Sequence, residues 1–480
     1  MIIKRNHLLL ILVMLTGIVG CAHQTYVPQP LTPEQSANKI LQKSPSSAAF
    51  KNYLLTQNYP ESDIPFKAWT IRELTLSALF YHPDLEVVKQ KLVSAETNTQ
   101  VAKSKPSIGV NAHLSHSNQA NGDLNPWAYS LQLDIPIDTS HKKEMRTEIA
   151  QNLSKAARMD VAETAWNLRH QLTLDLISYY ENLANITQLQ SKYTTYQQLS
   201  ALYQKRLEKG LASSVESAQV KLNAQKSQSD LLSEQAKTSQ LLSKLATDAG
   251  LTLTPFSSIP IAPLEIESTL LLQDRMLADT QTQSNLQQSA LLNRIDIRRS
   301  LAQYAVAESK IKLELAKQIP DISLSPGIAF EFGDSIWSLG FASLLNLINQ
   351  SPAQIKATEQ LRTVEGAQFE ALQAQIIGDL SEAYNRYKAI KNKLSQAQKE
   401  HASQLIYSQK IQKQFNAGLL DRVDITQAHL HLVTSAQLVC TLQYELLRSQ
   451  ALIENIMQRP LYDSSSKIDT SKMDINVIEH

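Results

Sequence analysis

Side chains that could carry out acid–base, metal-binding or nucleophilic chemistry are few, and their spacing does not suit it. His429 and His431 are two residues apart, so on a helix they point to different faces and could not share one metal ion well. His113 and His116 also lack the spacing of a metal site, and Cys440 lies among regularly spaced apolar residues. The chain contains no HExxH, P-loop, GxGxxG or GxSxG motif, so we expect no catalytic residue, metal or cofactor.

Two acidic residues, Glu216 and Asp424, occupy equivalent positions in two similar stretches. Each follows a glycine-containing turn, KRLEKGLASSV at 205–215 and QFNAGLLDRV at 414–423. Gly210 and Gly418 predict that a helix ends there in a left-handed conformation. An acid near the start of the next helix stabilises it through the helix dipole, which is a purely structural interpretation of both carboxylates. A functional interpretation depends on the elements that position the two turns.

These turns belong to an internal duplication. The matches follow the same order in both halves: Ser77-Ala78-Leu79 with Ser289-Ala290-Leu291, Asp84-Leu85 with Asp296-Ile297, Ala95-Glu96 with Ala307-Glu308, Pro106 with Pro320, Trp127 with Trp337, and Gly210-Leu211 with Gly418-Leu419. We therefore predict two repeats, 67–255 and 285–460, joined by a connecting segment at 256–284. A flexible tail is expected at 461–480.

Each repeat is predicted to contain a helix, a strand pair and a long helical hairpin. The first helices span about 71–104 and 286–318, and Pro106 and Pro320 stop them. Four strands are predicted at 107–117, 128–137, 321–332 and 336–345, with a loop at 118–126. Their length and alternating faces suit a transmembrane barrel, although soluble sheets show the same pattern.

The hairpin helices are predicted from the absence of chain breakers. Glycine and proline do not occur in 138–209, 211–249 or 419–459. A single helix over 142–209 would rise about 100 Å. Apolar residues at three–four spacing predict coiled-coil seams in the last helix and in its counterpart: Val423, Leu430, Val433, Cys440, Tyr444, Leu447 and Ala451, and Val215, Ala218, Leu222, Leu232 and Ala236. Polar residues interrupt both seams, which suits a thin-walled helical tube.

The N-terminus predicts an export signal that ends at a cysteine. Lys4 and Arg5 precede an apolar run at 8–15, and Ile18-Val19-Gly20-Cys21 follows. This end resembles the bacterial lipobox, in which the cysteine is lipidated, and Ala22 beside it implies sorting to the outer membrane. The alternative is an ordinary secretory signal that contains a cysteine. We expect 1–20 to be cleaved and 21–66 to form a lipid-anchored linker.

The order, spacing and duplication of these parts resemble the TolC family of outer-membrane ducts over nearly the whole mature chain. The segments that carry the resemblance are 77–85, Arg294-Ile295-Asp296-Ile297, Pro320-Asp321-Ile322-Ser323-Leu324, the two turns, and the Ala-, Gln- and Glu-containing segment 354–384. The resemblance implies a mainly α protein with a small transmembrane β-barrel. It also implies a homotrimer, in which three copies form a 12-stranded barrel above a long α-helical coiled-coil tunnel.

The resemblance further implies a passive exit duct in a tripartite efflux or type I secretion system. Its partners would be a periplasmic adaptor protein, an inner-membrane transporter and outer-membrane lipid around Cys21. The turns, with Gly210, Leu211, Gly418 and Leu419, would contact the adaptor. Glu216 and Asp424 would form rings at the periplasmic entrance, with Arg206 and Arg422 as bridging partners. Gln219 and Gln427 stand where some members carry a second acid, which weakens an expectation of strong cation selectivity.

A net charge of +1 gives no electrostatic reason to expect nucleic acid as a partner. The main alternative to a duct is a lipid-anchored periplasmic coiled-coil adaptor or scaffold without a channel. Such an adaptor would normally carry one helical hairpin between β-rich segments. Two equivalent hairpins and four strands of barrel length favour the duct.

Overall fold

The structure is a computed structural model that describes residues 26–118, 126–270, 287–288, 290–292, 294–331, 333–343 and 352–458. The predicted signal at 1–20, Cys21 and the predicted tail at 461–480 lie outside these residues. The chain divides into two compact units, one up to Lys43 and one from Ser44 onwards. In the first unit, helix α1 (Pro33–Leu41) has no buried residue.

The second unit begins with helix α2 (Ala48–Thr56), and its described elements then twice follow the order of helix, strand pair and long helical hairpin, with two helices before the strands in the first pass and one in the second. The first pass is α3 (Ile71–Tyr81), α4 (Pro83–Lys103), β1 (Gly109–His116), β2 (Trp127–Ile137), α5 (Lys142–Glu208) and α6 (Ser214–Asp248). After the short helix α7 (Leu253–Phe256), the second pass is α8 (Ile295–Ala316), β3 (Ile322–Glu331), β4 (Asp334–Ser343), α9 (Pro352–Asn416) and α10 (Arg422–Met457). This mainly helical fold with a small antiparallel sheet confirms the predicted fold class for one chain.

The prediction of a single helix over 71–104 is wrong, because the helix breaks at His82. His82 is extended, with φ −71° and ψ 128°, since the proline at 83 disfavours a helical residue before it. Its backbone N–H donates to the carbonyl of Ala78, and its Nδ1 accepts from the N–H of Asp84. Arg294 has the same extended conformation before α8, with no proline after it. An extended residue therefore precedes the helix in both repeats, and a following proline is not required for it.

Half of the predicted linker at 21–66 is part of the folded second unit. Phe50 and Leu54 of α2 are fully buried or nearly so, at 0% and 1% exposure. Trp69 joins the same core, and its N–H donates to the carbonyl of Pro260 at 2.8 Å. The segment at 48–69 is therefore held by aromatic packing against α3 and the connecting segment.

The sheet has the order β1-β2-β3-β4, with all neighbours antiparallel. In the described residues the strand limits differ from the predicted ones by at most two residues, while positions 332, 344 and 345 of the predicted strands lie outside those residues. β2 and β3 come from different repeats, so their pairing joins the two halves, and Tyr129 lies opposite Phe330 with ring centroids 4.9 Å apart. Within the described residues, β1 and β4 are edge strands that each pair on one side only.

Helix α5 has 67 residues and α9 has 65, so each rises about 100 Å at roughly 1.5 Å per residue. α5 packs against α4, α6, α8 and α10, and α9 packs against α8 and α10. Lateral packing of this kind stabilises helices that would otherwise be marginal. Within the described residues, no helix combines the length and hydropathy needed to cross a lipid bilayer.

The two predicted coiled-coil seams differ in burial: the one on α10 is largely buried within the chain, and the one on α6 is largely exposed. On α10, Val423, Val433, Tyr444, Leu447 and Ala451 are buried, Leu430 and Cys440 are half-buried, and the polar Thr426 is buried with them. On α6, the predicted seam is wrong as a contact within the chain, because Val215, Leu222 and Leu232 are 75%, 58% and 57% exposed. The buried face of α6 instead contains small residues that permit close approach to α5, namely Ser217, Ala224 and Ser227, together with Leu231.

Candidate functional site

The two hairpin turns have the same backbone geometry. α5 ends at Glu208, and Gly210 follows in the left-handed region at φ 68°. Gly418 follows α9 in the same way at φ 75°, and apart from the glycine and its two chain neighbours no described atom lies within 4 Å of a Cβ built at either position. Conformation and not space therefore selects glycine at both positions. The next residues, Leu211 and Leu419, are 71% and 74% exposed.

Glu216 takes part in a capping box at the start of α6. The Ser213 hydroxyl accepts from the N–H of Glu216 at 3.1 Å. In return, Glu216 Oε2 accepts from the N–H and the hydroxyl of Ser213, both at 2.8 Å. These backbone and side-chain hydrogen bonds lower the pKa of Glu216, and the positive charge of Arg206 adds a smaller effect in the same direction. The carboxylate of Glu216 thus satisfies the backbone at the helix start.

Asp424 makes the equivalent box at the start of α10, with Asp421 in place of the serine. Asp421 Oδ1 accepts from the N–H groups of Val423 and Asp424 at 2.7 and 3.2 Å. Asp424 Oδ2 accepts from the N–H of Asp421 at 3.0 Å. The structural interpretation of the two acids, as residues that stabilise helix starts, therefore applies in both repeats. These capping contacts do not test the expected role of Glu216 and Asp424 at a periplasmic entrance.

Arg206 connects the two turns. Its guanidinium, in the last turn of α5, forms an ion pair with the carboxylate of Asp421, the N-cap of α10. Partial burial acts to raise the pKa of Asp421, but the hydrogen bonds from Val423 and Asp424 and the charge of Arg206 outweigh it and lower that pKa. The guanidinium carbon also lies 5.9 Å from the ring centroid of Tyr203. One chain therefore ties its own two hairpins together at the turns.

The sequence analysis named Arg206 but missed its partner. The position of Asp421 three residues before Asp424 repeats the spacing of Ser213 and Glu216 and indicates a capping box, but it does not connect Asp421 with Arg206. Arg422, the other predicted bridging residue, is the first residue of α10 and is exposed. The structure thus brings Arg206 to Asp421, and places Glu216 and Asp424 in capping contacts within their own turns.

The sheet presents one apolar and one polar face. The register places Val110 opposite Leu133 and Ala112 opposite Leu131, while Asn111 is opposite Gln132 on the other face. β4 continues the apolar face, with Trp337 opposite Ile328 and Phe341 opposite Leu324. Several of these side chains are well exposed: Trp337 at 80%, Phe341 at 73%, Leu114 at 66% and Val110 at 64%. An exposed apolar surface of this size marks contact with lipid or with another protein.

The residues considered first for chemistry are dispersed. His113 and His116 lie on β1, and His429 and His431 are both exposed on α10. Burial, with a smaller effect of Glu181, raises the pKa of the Cys440 thiol, which disfavours the nucleophilic thiolate. In the described ranges, no group of three His, Cys, Asp or Glu side chains is placed to hold a metal ion.

Comparisons with known proteins show similarity in structure but not in sequence. No family model and no curated protein matches the chain. The outer membrane protein VceC from Vibrio cholerae superposes with a TM-score of 0.63 at 16% identity, covering 82% of this chain and 96% of that one. The CmeC outer membrane channel of Campylobacter jejuni gives 0.64 at 15% identity, covering 95% and 97%. The outer-membrane channel OprN gives 0.65 at 14% identity, covering 92% and 99%. The chain has the fold of these channels, as the resemblance to the TolC family predicts.

Proposed function

We propose that this protein is an outer-membrane exit duct, which passively conducts substrates delivered by an inner-membrane pump across the periplasm and the outer membrane. The observation that carries the proposal is the combination of a channel fold over most of the chain with a two-faced sheet. An apolar outer face and a polar inner face are what a strand needs at the boundary between lipid and a water-filled lumen.

The open sheet edges support a homotrimer. Four strands with two edges cannot close in lipid, because unpaired backbone groups there cost several kcal/mol each. Three copies would give twelve strands and leave no edge. The exposed apolar residues of α6, Val215, Leu222 and Leu232, and of α9, Leu405 and Ile406, would then pack against neighbouring copies below the sheet. This arrangement gives the predicted seam of α6 a partner outside the chain.

The two turns are proposed to form the periplasmic end of the duct. Leu211 and Leu419 are exposed apolar side chains on glycine-terminated turns, suited to contact with a periplasmic adaptor. Glu216 and Asp424 are proposed to line the entrance, with the Arg206–Asp421 pair holding the two hairpins together. At the other end, lipid on Cys21 is proposed to anchor the chain to the outer membrane.

Single-channel conductance of the purified protein in a planar bilayer tests the proposal. The informative variant is Glu216→Gln/Asp424→Asn, since the amides keep a hydrogen-bond acceptor for the helix caps but remove the charge. Discrete channels in the wild type, with altered conductance or cation preference in the variant, are expected. The exposed Asp230→Asn on α6 is the control and should leave both unchanged.

Other outcomes are equally informative. Channels with the same conductance and ion preference in wild type and variant would support the duct, but they would show that Glu216 and Asp424 do not line its entrance. A folded wild-type protein that forms no channels, with Arg206→Ala and the double variant equally silent, would favour the coiled-coil scaffold.

A further inference from the structure

Two carboxyl groups, one buried and one partly buried, lie where α6 ends against α5. Asp175 of α5 is 3% exposed, and Asp248 is the last residue of α6. The carboxyl of Asp175 acts on Asp248 both as a hydrogen-bond partner and as a negative charge, and each effect raises the pKa of Asp248. Two neighbouring ionised carboxylates repel each other, so such a pair is stable when it holds a proton.

The partners of the pair are unequally distributed. Gln171 Nε2 donates to both oxygens of Asp175 at 3.2 and 3.1 Å, and Lys244 Nζ donates to Asp175 Oδ1 at 2.6 Å. Asp248 Oδ2, in contrast, is buried and accepts no hydrogen bond from any donor among the described residues. A single lysine, itself 52% exposed, thus faces two carboxyl groups. A proton held between the two carboxyl groups would give Asp248 the hydrogen bond that it otherwise lacks at Oδ2.

The end of α6 is tightly fitted, so a change at the pair affects packing. The fully buried Ser77 of α3 donates its hydroxyl to the carbonyl of Ala249 at 2.9 Å. Gly250 has φ +75°, and a Cβ there would lie 2.7 Å from the backbone of Tyr81 and His82. The helix end therefore has no room to move away without breaking these contacts.

The charges that act on Asp248 are those of Asp175 on α5 and Lys244 on α6. On α3, the Arg72 guanidinium lies over the Tyr59 ring and Glu73 accepts from Thr70. The sequence of α7, LTPF, contains no charged residue.

We propose that Asp175 and Asp248 form a proton-sharing pair that makes the packing of α6 on α5 sensitive to pH, tight while the pair holds its proton and weakened once both carboxyls are ionised. The packing change stands independently of the channel proposal. Only an effect on conduction rests on the proposed function, because the α5–α6 hairpin carries the 205–215 turn at its other end.

The direction of the effect follows from proton linkage. Burial, the hydrogen bond to Asp175 and its negative charge raise the pKa of Asp248 from the ordinary 3.8 to about 7, with Lys244 acting in the opposite direction. A carboxyl that holds its proton more tightly when packed than when exposed favours the packed state at low pH. The packed state therefore loses stability relative to the open state as pH rises from about 4 to about 7.

Hydrogen exchange of the full-length protein in detergent tests the inference. The readout is the protection factor of backbone amides at 241–251, corrected for the intrinsic pH dependence of exchange, at pH 6 and pH 8. In the wild type we expect opening of this segment to increase by about tenfold over that interval. In Asp248→Asn the increase should be less than about twofold, because the amide cannot ionise. Asp230→Asn, on the exposed side of the same helix, should behave as the wild type.

A wild-type segment with equal protection at both pH values would overturn the inference, as would an Asp248→Asn protein with the wild-type response. If Asp248→Asn does not fold, Asp175→Asn removes the other charge and should flatten the profile in the same way; an unaltered profile there also counts against the pair. A protein that shows the pH response but forms no channels, whether as wild type, Arg206→Ala or the double variant, would retain this inference and reject the duct. A protein that forms channels but shows no pH response of the 241–251 segment would retain the duct and reject this inference.

Discussion

Arg206 and Asp421 are 215 positions apart in the sequence, yet they form an ion pair that joins the last turn of α5 to the first turn of α10. Asp421 is at the same time the N-cap of α10. The pair therefore links the two hairpins at the end where each reverses direction. Its side chains are 34% and 49% exposed, so solvent and salt weaken the attraction.

Arg206→Ala should release this link and favour separation of the two turns. An exposed ion pair contributes at most about 1 kcal/mol, so the equilibrium between joined and separated turns should shift by up to about fivefold. We expect a larger or more frequently open channel in planar bilayers, with little change in the melting temperature. Arg158→Ala removes a comparably exposed pair with Glu96 and should leave conductance unchanged. Equal effects of both variants would show that the link does not act at the entrance.

The capping contact of Glu216 should make the first turn of α6 sensitive to acid. Its pKa is lowered in the folded state by hydrogen bonds from Ser213, so the stabilisation is present above the ordinary pKa of a glutamate and is lost as pH falls through the lowered value. Hydrogen exchange at 214–218 should therefore increase at acid pH beyond its intrinsic dependence. Glu216→Gln should abolish this acid response, and a response that persists in the variant would assign it to another group.

Gly250→Ala should destabilise the protein far more than Gly210→Ala, although both glycines have positive φ. A left-handed alanine costs about 1–2 kcal/mol at either position. At Gly250 the new methyl would also overlap the backbone of Tyr81 and His82, which adds about 1–3 kcal/mol, whereas nothing lies within 4 Å at Gly210. Thermal unfolding of the two variants, compared with wild type, measures the difference. Equal melting temperatures would contradict the tight fit of the α6 end.

Glu454→Gln should cost about 3–5 kcal/mol of stability, because it removes the charge of one partner from a buried ion pair. Arg169 and Glu454 pair across α5 and α10 with side chains only 7% and 4% exposed. The guanidinium also lies 5.3 Å from the ring centroid of Trp166, so its position is fixed by packing as well. Denaturant unfolding checks the value, and the double change Arg169→Met/Glu454→Leu should recover a large part of the loss. A double variant no more stable than the single one would contradict this explanation.

The sequence predicts the elements of this fold well where a local rule decides them. The limits of α5 follow from the absence of glycine and proline, and the strand limits follow from alternation and flanking prolines. The helix break at His82 was missed because the apolar pattern continues across it, although the following proline is a signal for a break.

Tertiary relationships were harder to predict. Periodicity identifies the apolar side of α6, but it does not say whether that side meets α5 or a surface outside the chain; small residues such as Ser217 and Ala224 decide the contact. The residues Glu216 and Asp424 could be found from their repeated position. The partner of Arg206 could not, because no local pattern connects residues 206 and 421.

The outer edges of β1 and β4, which are unpaired among the described residues, have a consequence for the rate of assembly. The helical hairpins are built from contacts within one chain, so their formation is a first-order process. The sheet, in the proposed assembly, is completed only by strands from other copies, so its rate in lipid rises with more than the first power of chain concentration. Dilution should therefore accumulate chains with folded hairpins and an incomplete sheet, and the concentration of protein in the membrane would set how fast functional assemblies appear.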